Sequence, residues 1–358
     1  MGADRVFVIA EAGVNHNGSL DRALAMVDAA AGSGADAVKF QTFKAERLVS
    51  RAARKADYQV ANTGEGGSQL EMLRRLELSE ADHVAIRDRC CARGIEFMST
   101  AFDQASMQFL VGLGMRAIKI PSGDLTAAPL VLAAARLRRP LIVSTGMATL
   151  QEIEQALGVI AFGLLGLQSP NEKKFVDAYR STEGQAQLRE FVTILHCVTE
   201  YPAPPGDVNL RAMDLMREMF RLPVGYSDHT LGMAVALAAV ARGASVLEKH
   251  FTLDRELPGP DHKASLVPDE LVCLVSNVRI IEQALGRPVK APMASEVKNI
   301  AAARRSIVAS SRIGRGDFFT LENLAIKRPG DGMSPYRLWG LLGERSPRDY
   351  ESDEVIEP

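Results

Sequence analysis

Cysteine is scarce in this sequence. The four cysteines, at positions 90, 91, 197 and 273, show no Cys-x-x-Cys spacing, so neither a zinc cluster nor a disulfide framework is indicated. An excess of charge of one sign is also missing, because the formal net charge is only −2. Nothing therefore favours a surface for nucleic acid or another polyanion, and we expect no nucleic-acid partner.

Long apolar runs and nucleotide-binding motifs are missing too. The first apolar run, residues 6–10, has only five residues, which is too short for a signal peptide or a membrane span. We expect a cytoplasmic protein with no membrane partner. No G-x-G-x-x-G opens a helix after a strand, and no G-x-x-x-x-G-K-[ST] occurs, which argues against a nucleotide-binding open sheet.

The first 288 residues instead contain a repeated pattern of strand and helix. Short apolar runs alternate with helical periodicity, and such alternation requires a parallel sheet. The predicted strands are residues 6–10, 37–41, 96–99, 117–120, 140–143, 192–195, 223–225 and 246–247. Eight units of this kind predict an α/β protein with a (β/α)8 TIM barrel, and a doubly wound open sheet is the alternative.

Three further segments do not fit the repeat. Residues 51–69 are polar and predict an excursion over the barrel mouth, with a mobile loop as the alternative. Residues 163–187 are polar with weak periodicity and indicate an insertion or an extended helix–loop. Beyond residue 288, short strands and turns indicate a small β-rich domain. We therefore predict a catalytic barrel at 1–288 and a second domain at 289–358.

Ionisable or hydroxyl side chains follow or end every predicted strand. Glu248 and His250 lie two residues apart, so on a strand they share one face. Buried polar groups need partners, and a polar group at all eight ends is typical of a site rather than of packing. The collected residues are Glu11, Lys39, Gln41, Ser99, Thr100, Lys119, Ser122, Ser144, His196, Asp228, His229, Glu248 and His250.

The types of these residues limit the chemistry. Two lysines with several hydroxyls suit a phosphate or carboxylate ligand, and two histidines suit a divalent metal acting on a carbonyl. The acids Glu11 and Glu248 suit proton transfer or water activation. The set predicts a phosphorylated substrate joined to, or split from, a carbonyl compound.

Two alternatives remain at this point. A Schiff-base aldolase could use Lys119 or Lys39, but it would need one neutral lysine and would leave the histidines without a role. A non-catalytic sugar-binding or regulatory barrel is the other alternative, although binding alone does not need a metal and a base together.

Short motifs along nearly the whole chain identify a family resemblance. They are EAGVNHNG (11–18), VKFQT (38–42), KIPSGD (119–124), STGM (144–147), YSDHT (226–230), EKHF (248–251), GPDHKAS (259–265) and KRPG (327–330). In this order they resemble the sialic acid (nonulosonate) synthases, of N-acetylneuraminate or N,N'-diacetyllegionaminate synthase type. These enzymes condense phosphoenolpyruvate with an N-acetylated mannose-type sugar. KIPSG and TEYP (199–202) resemble the legionaminic acid branch.

The resemblance implies roles for particular residues. His229 and His250 correspond to the ligands of a divalent metal, usually Mn²⁺, with Mg²⁺ or Co²⁺ as alternatives. Glu11 and Glu248 correspond to acids at the reacting centre. Residues expected around phosphoenolpyruvate are Lys39, Thr100, Lys119, Ser122, Ser144 and Ser227. Residues expected to bind the sugar side are Tyr201, Asp261 and Arg328, and Gln41 is expected to bind substrate beside Lys39.

The resemblance also implies an architecture and a reaction. The second domain is expected to be antifreeze-like (SAF) and to close the active site of the partner in a domain-swapped homodimer. C3 of phosphoenolpyruvate is expected to attack the metal-polarised sugar aldehyde. Water then adds at C2 with help from an acid such as Glu11, and phosphate leaves by C–O cleavage.

The sequence also departs from the family pattern. Asp124 stands where many members have glutamate, Ala101 stands where many have proline, and Val267 replaces a common acidic residue. The stretch 162–190 is longer than in short members. Asp124 and this insertion are expected to bear on sugar preference.

Overall fold

The computed structural model describes residues 5–64 and 66–357. They divide into two compact units, with the division between residues 286 and 287. The division lies two residues before the boundary expected from the sequence. Over the part of the chain described, none of the helices has both the length and the apolar composition needed to cross a membrane.

The first unit is a closed barrel of eight parallel strands. Strand β1 pairs with both β2 and β8, so the sheet has no open edge. The strands are β1 (Phe7–Gly13), β2 (Ala37–Thr42), β3 (Glu96–Ala101), β4 (Ile118–Ile120), β5 (Leu141–Ser144), β6 (Val192–Cys197), β7 (Val224–Asp228) and β8 (Val246–His250). The predicted TIM barrel is confirmed, and the open sheet is wrong.

Helices follow the strands along the chain, and most of them bury an apolar face in the layer outside the barrel. They are α1 (Leu20–Gly32), α2 (Ala45–Leu48), α3 (Asp57–Thr63), α4 (Gln69–Arg74), α5 (Glu80–Arg93), α6 (Gln104–Gly112), α7 (Ala128–Arg136), α8 (Leu150–Leu164), α9 (Glu172–Arg180), α10 (Thr182–Phe191), α11 (Ala212–Phe220), α12 (Ala234–Ala241) and α13 (Pro268–Leu285).

An apolar layer fills the barrel interior below the polar residues. It consists of Ile9, Ala37, Met98, Ala117, Ile142, Leu195 and Val246, with Phe7 packed against them. Gly225 is required in this interior, because a Cβ there would lie 2.5 Å from Leu195 Cδ2 and 2.4 Å from the Val246 carbonyl oxygen. This close approach explains why β7 has poor strand propensity in the sequence.

Several strands extend beyond their predicted ends. β1 continues to Gly13, β7 to Asp228 and β8 to His250. The ionisable residues therefore lie within the ladder, where Glu11 is paired with Lys39 and Ser227 with Glu248. An apolar pattern predicts these strands too short, because their last inward-facing residues are polar and line a site.

The polar stretch 51–69 is not a loop throughout. It contains α3 and begins α4. A small apolar cluster of Val14, Phe43, Met72 and Leu76 packs α4 and the turn after it against the ends of β1 and β2. Residues 57–63 of the excursion are therefore helical and not loop, while the mobility of the other described residues of 51–69 stays a prediction.

The insertion at 163–187 forms helices α9 and α10. Phe175 of α9 meets Phe162 of α8 edge-on, with ring centroids 5.2 Å apart. Gly158 of α8 permits this approach, because a Cβ there would lie 2.9 Å from the Phe175 carbonyl oxygen. The insertion thus packs as a helical layer on α8.

The second unit has its own core. It contains α14 (Ala294–Ala303), β9 (Ser306–Ala309), β10 (Leu324–Lys327) and α15 (Leu338–Leu341). β9 and β10 pair antiparallel. The buried residues of this unit include Ile307, Ala309, Ile313, Phe319, Leu324, Tyr350 and Ile356.

Candidate active site

The polar residues of the barrel mouth follow the two-residue alternation of the strands. Eleven residues lie on the inner face of a strand or, just past its end, continue the alternation of that face. They are Glu11, Lys39, Gln41, Thr100, Lys119, Ser144, Cys197, Ser227, His229, Glu248 and His250. Most of them continue the parity of an apolar residue of the barrel interior, as Glu248 continues that of Val246. On β7 the residue that precedes them on this face is Gly225. The strands therefore deliver most of the predicted site residues to one place.

Three of the collected strand-end residues face outward instead. Ser99 hydrogen bonds to Thr42, at 2.7 Å between the two hydroxyl oxygens. His196 Nε2 donates to the Val208 carbonyl oxygen at 2.6 Å. Asp228 accepts from Lys249 Nζ at 2.8 Å in a fully buried ion pair. These residues have the opposite parity, so they stabilise the packing around the barrel and do not line its mouth.

Lys39 lies at the centre of the charged network. Its Nζ is 2.6 Å from Glu11 Oε2 and 3.6 Å from Glu248 Oε2. It also donates to Thr100 Oγ1 at 3.0 Å. All of these side chains are buried, so their charges interact in a weakly screened environment.

Lys119 occupies the other side of Glu248. Its Nζ donates to Ser144 Oγ at 2.7 Å and lies 3.5 Å from Glu248 Oε1. Ser227 Oγ donates to the same carboxylate oxygen at 3.0 Å. Glu248 therefore holds two lysines and one hydroxyl at fixed positions in the barrel mouth.

The two acids of this network have different pKa values. Burial raises the pKa of Glu11 to about 7, partly offset by Lys39 and increased by the neighbouring Glu248 charge. Burial acts in the same direction on Glu248, but Lys119 and Lys39 outweigh it and lower the pKa of Glu248 to about 2. Glu248 is thus a permanent anion near neutral pH, while Glu11 can gain or lose a proton.

The two histidines lie side by side at the ends of β7 and β8. Their ring centroids are 5.5 Å apart. His229 Nδ1 donates to the Val198 carbonyl oxygen at 2.6 Å, which leaves Nε2 as its free nitrogen. His250 Nδ1 is buried and has no hydrogen-bond partner among the described residues. Burial lowers the pKa of His250 well below its usual value, so its imidazole is neutral.

These features fit a divalent cation at His229 and His250. Neutral imidazole nitrogen is a common ligand for such metals, and a backbone carbonyl bound to the opposite nitrogen is the usual supporting contact. In residues 5–64 and 66–357, no group of three or more His, Cys, Asp or Glu side chains is placed to hold a metal. A cation held by the two histidines would therefore take its remaining ligands from water or substrate.

Two of the three residues expected on the sugar side, Tyr201 and Asp261, lie near His229. The Tyr201 ring stacks on His229, with centroids 4.1 Å apart and planes at 30°. Asp261 is buried, and burial raises its pKa to about 6 despite the opposing effect of His229. Ser122 Oγ accepts from the Gly146 backbone N–H at 2.9 Å. Arg328 is exposed on the second unit, directly after β10, and its role stays a prediction.

Sequence reasoning missed four residues of this region. Cys197 Sγ lies 3.7 Å from His229 Nδ1, on the same strand face as Leu195, which is buried in the barrel interior. Thr199 Oγ1 is buried without a partner among the described groups, as is Asn15 Oδ1. Tyr58 stacks on Tyr201 with centroids 4.9 Å apart. Tyr58 had no signal in the sequence, because its helix lies in a stretch without clear periodicity.

A separate cavity of about 670 Å³ lies outside the barrel. Residues from the start of α7, from α8 and from α9 line it, together with Met219 of α11. It contains none of the predicted site residues, so the chemistry is assigned to the barrel mouth.

Comparison with known proteins identifies the family of the chain. Residues 26–290 match the NeuB family. The chain is 45% identical to the N,N'-diacetyllegionaminic acid synthase of Campylobacter jejuni. The match extends over 352 residues and covers 98% of this chain and 99% of that protein. It is 45% identical to the N,N'-diacetyllegionaminic acid synthase of Legionella pneumophila, over 95% of this chain and 90% of that protein. The crystal structure of the N-acetylneuraminic acid synthetase of Leptospira borgpetersenii matches with a TM-score of 0.68 and 32% identity, covering 84% of this chain and 91% of that one.

Proposed function

Because the chain belongs to the NeuB family, that of the sialic acid synthases, we propose that it is a nonulosonic acid synthase. It condenses phosphoenolpyruvate and water with an N-acetylated mannose-type sugar, giving a nine-carbon acid and phosphate. The proposed sugar is 2,4-diacetamido-2,4,6-trideoxymannose, and N-acetylmannosamine is the other candidate. The family resemblance predicted from the motifs is confirmed. The observation that carries the proposal is the buried network of Lys39, Lys119, Glu11 and Glu248 beside two histidines.

The lysines are proposed to bind phosphoenolpyruvate. Lys39 and Lys119 each lie within 3.6 Å of Glu248, which keeps their Nζ atoms at fixed positions. The hydroxyls of Thr100 and Ser144 are already hydrogen bonded to them. Buried ammonium groups surrounded by hydroxyl donors suit the phosphate and carboxylate of this substrate, because charged hydrogen bonds strengthen when water is excluded.

His229 and His250 are proposed to hold the metal, Mn²⁺ or alternatively Mg²⁺ or Co²⁺. When bound, the cation would supply Lewis-acid polarisation of the sugar carbonyl. The proposal rests on Nδ1 of His250, which has no hydrogen-bond partner in the part of the chain that the structure describes, and on the Val198 carbonyl that orients His229. Tyr201 and Asp261, next to His229, are proposed to orient the sugar.

Glu11 is proposed to handle the proton of the water that adds at C2. Its carboxylate is buried and lies 2.6 Å from Lys39 Nζ, so it is close to the expected position of phosphoenolpyruvate. Glu248 is proposed to remain ionised between the lysines. A Schiff-base mechanism would need a neutral lysine. Glu11 and Glu248 outweigh burial and raise the pKa of Lys39, which opposes this role for Lys39, whereas burial lowers the pKa of Lys119 despite the contact with Glu248.

The second unit is proposed to be the antifreeze-like domain of a domain-swapped homodimer, with Arg328 reaching the sugar of the partner's barrel. A cytoplasmic location belongs to the same proposal, because phosphoenolpyruvate is a metabolite of the cytoplasm. The assignment of the second domain is supported by the resemblance around residues 327–330 and by the compact unit after residue 286.

The test is turnover by the purified protein with phosphoenolpyruvate, Mn²⁺ and each candidate sugar. We expect phosphate release with both sugars and a higher kcat/KM for the diacetamido sugar. His250→Ala is expected to retain its fold by circular dichroism and to lose both bound metal and turnover. Absence of product with every N-acetylated sugar, or full activity of His250→Ala in chelator, would refute the corresponding part of the proposal.

A further inference from the structure

Three aromatic rings form a continuous stack at the barrel mouth. Tyr201 lies on His229 with centroids 4.1 Å apart and planes at 30°. Tyr58 covers Tyr201, with centroids 4.9 Å apart and planes at 34°. The His250 ring is perpendicular to that of Tyr201, with centroids 5.5 Å apart and planes at 89°. Tyr201 therefore contacts two rings in a tilted stack and a third ring at right angles to its own.

Hydrogen bonds, together with the packing of the next helix, hold α3, the helix that carries Tyr58. Asn62 Nδ2 of α3 donates to the Pro260 carbonyl oxygen at 2.6 Å, next to Asp261. Lys55 Nζ donates to the carbonyl oxygen of Gly66 at 2.7 Å and to Thr63 Oγ1 at 3.2 Å. The apolar cluster beneath α4 anchors the following helix. Tyr58 therefore reaches Tyr201 on an ordered element and not on a free loop.

The hydroxyl of Tyr58 contributes little to this arrangement. Its one contact among the described side chains is a long hydrogen bond accepted from Gln59 Nε2 at 3.4 Å. Burial and the nearby Asp261 carboxylate raise the pKa of Tyr58, so the hydroxyl stays protonated. The ring, which makes the stack, is the part of the side chain with a defined geometric role.

We propose that Tyr58 is a positioning residue for the N-acetylated sugar, acting through Tyr201. Its ring restricts the rotation of Tyr201 and thereby fixes the polar end of Tyr201 relative to His229 and Asp261. The inference rests on the proposed function. It goes beyond the predicted sugar-binding residues because it gives the excursion at 51–69 a role in substrate orientation.

The test compares Tyr58→Ala, Tyr58→Leu and Tyr58→Phe with the wild type. Loss of one aromatic contact should raise the sugar KM roughly three- to tenfold in Tyr58→Ala and Tyr58→Leu. The KM for phosphoenolpyruvate should stay within about twofold, because the lysine network is untouched. Tyr58→Phe keeps the ring and should restore the wild-type sugar KM.

Asp57→Ala is the matched control, because it truncates an exposed neighbour on the same helix. It should leave both KM values unchanged. Equal rises of both KM values, an unchanged sugar KM in Tyr58→Ala, or a Tyr58→Phe variant as impaired as Tyr58→Ala would each overturn the proposal. Inactivity of the wild type with every sugar would instead refute the proposed function, so the two failures are distinguishable.

Discussion

Glu11 and Glu248 are the same type of side chain with opposite surroundings. Glu248 faces two lysines and Ser227, whereas Glu11 has one close lysine and lies near the Glu248 charge. Burial raises the pKa of Glu11 to about 7, while the lysines hold that of Glu248 near 2. The difference assigns a structural charge to one acid and proton exchange to the other.

Glu248→Gln tests the structural charge. The substitution leaves Lys39 with Glu11 alone and Lys119 without a carboxylate, while both lysines stay buried. We expect the free energy of unfolding to fall by about 3 kcal/mol, because removing one partner of a buried ion pair exposes the other to an uncompensated desolvation cost. Urea denaturation measures it, and added phosphoenolpyruvate should recover part of the loss.

Ser227→Ala is the control for this variant, because it removes only the hydroxyl donor to Glu248. It should cost about 1 kcal/mol. A Glu248→Gln protein as stable as the wild type would show that the lysines do not depend on this carboxylate.

Asp124→Asn tests a half-buried carboxyl group through the pH dependence of stability. Burial raises the pKa of Asp124 from 3.8 to about 6, and Oδ2 has no hydrogen-bond partner among the described groups. The folded state therefore binds this proton more tightly than the unfolded state, so wild-type stability decreases as pH rises from about 4 to about 6. We expect Asp124→Asn to have the higher Tm at pH 8 and an equal Tm at pH 4.

The exposed Asp207→Asn is the control for that comparison. Its Tm difference from the wild type should not change with pH between 4 and 8. If Asp124→Asn lowers Tm at pH 8, the carboxylate is stabilised by an interaction that outweighs its burial.

At the scale of single elements, the sequence predicted the alternation of the strands better than their ends. The parity of Val246, Glu248 and His250 was visible because one apolar core position precedes two ionisable ones. The outward direction of the His196 side chain was not visible, because a predicted strand of four residues does not show which of its faces is inside the barrel. Only the pairing with β5 and β7 decides that.

Helices α3, α4, α9 and α10 were the least predictable elements. Each has ten residues or fewer, and isolated helices of that length are marginal in water. Their stability comes from contacts with distant residues, such as Phe175 with Phe162. A local periodicity cannot show those contacts, so the excursion and the insertion were predicted only as segments.

Gly158→Ala tests the packing of the insertion. A Cβ at this position would lie 2.9 Å from the Phe175 carbonyl oxygen, so α9 must move away from α8. We expect the free energy of unfolding to fall by about 1–3 kcal/mol. The kcat/KM for both substrates should be unchanged, because this contact lies outside the barrel mouth.

Gly112→Ala, at the end of α6, is the matched control. A Cβ at Gly112 has no atom within 4 Å, so it should be neutral or stabilising by about 0.5 kcal/mol. If both alanine variants have the same stability, α9 is not packed against α8 as closely as described. A large loss of activity in Gly158→Ala alone would link the insertion to catalysis.

At the scale of the whole molecule, the chain combines a barrel that contains the charged site with a separate compact unit that carries Arg328. The motif around Arg328 was recognisable in the sequence only through the family resemblance, since a lone arginine before Pro-Gly is ordinarily a solvated turn residue. Its proposed action on the partner's barrel is therefore a question about assembly, which subunit mixing addresses.

Arg328→Ala should raise the sugar KM far more than the phosphoenolpyruvate KM, because a guanidinium donor orients the sugar without taking part in the bond change. Mixing and re-forming dimers of Arg328→Ala and Glu11→Ala should restore part of the activity, since one site of each mixed dimer has both residues intact. Mixing Glu11→Ala with Lys119→Ala is the control and should restore nothing. Recovery in neither mixture would mean that Arg328 does not act across subunits.

The most direct test of the proposed reaction follows the oxygen of water. Synthesis is run in ¹⁸O-labelled water with phosphoenolpyruvate and the diacetamido sugar, and both products are analysed by mass spectrometry. A matched reaction uses unlabelled water and phosphoenolpyruvate labelled at its bridging oxygen. Addition of water at C2, assisted by Glu11, predicts water label in the nine-carbon acid and bridging label in the phosphate. Water label in the phosphate, with the bridging oxygen retained in the sugar acid, would show P–O cleavage and contradict the account.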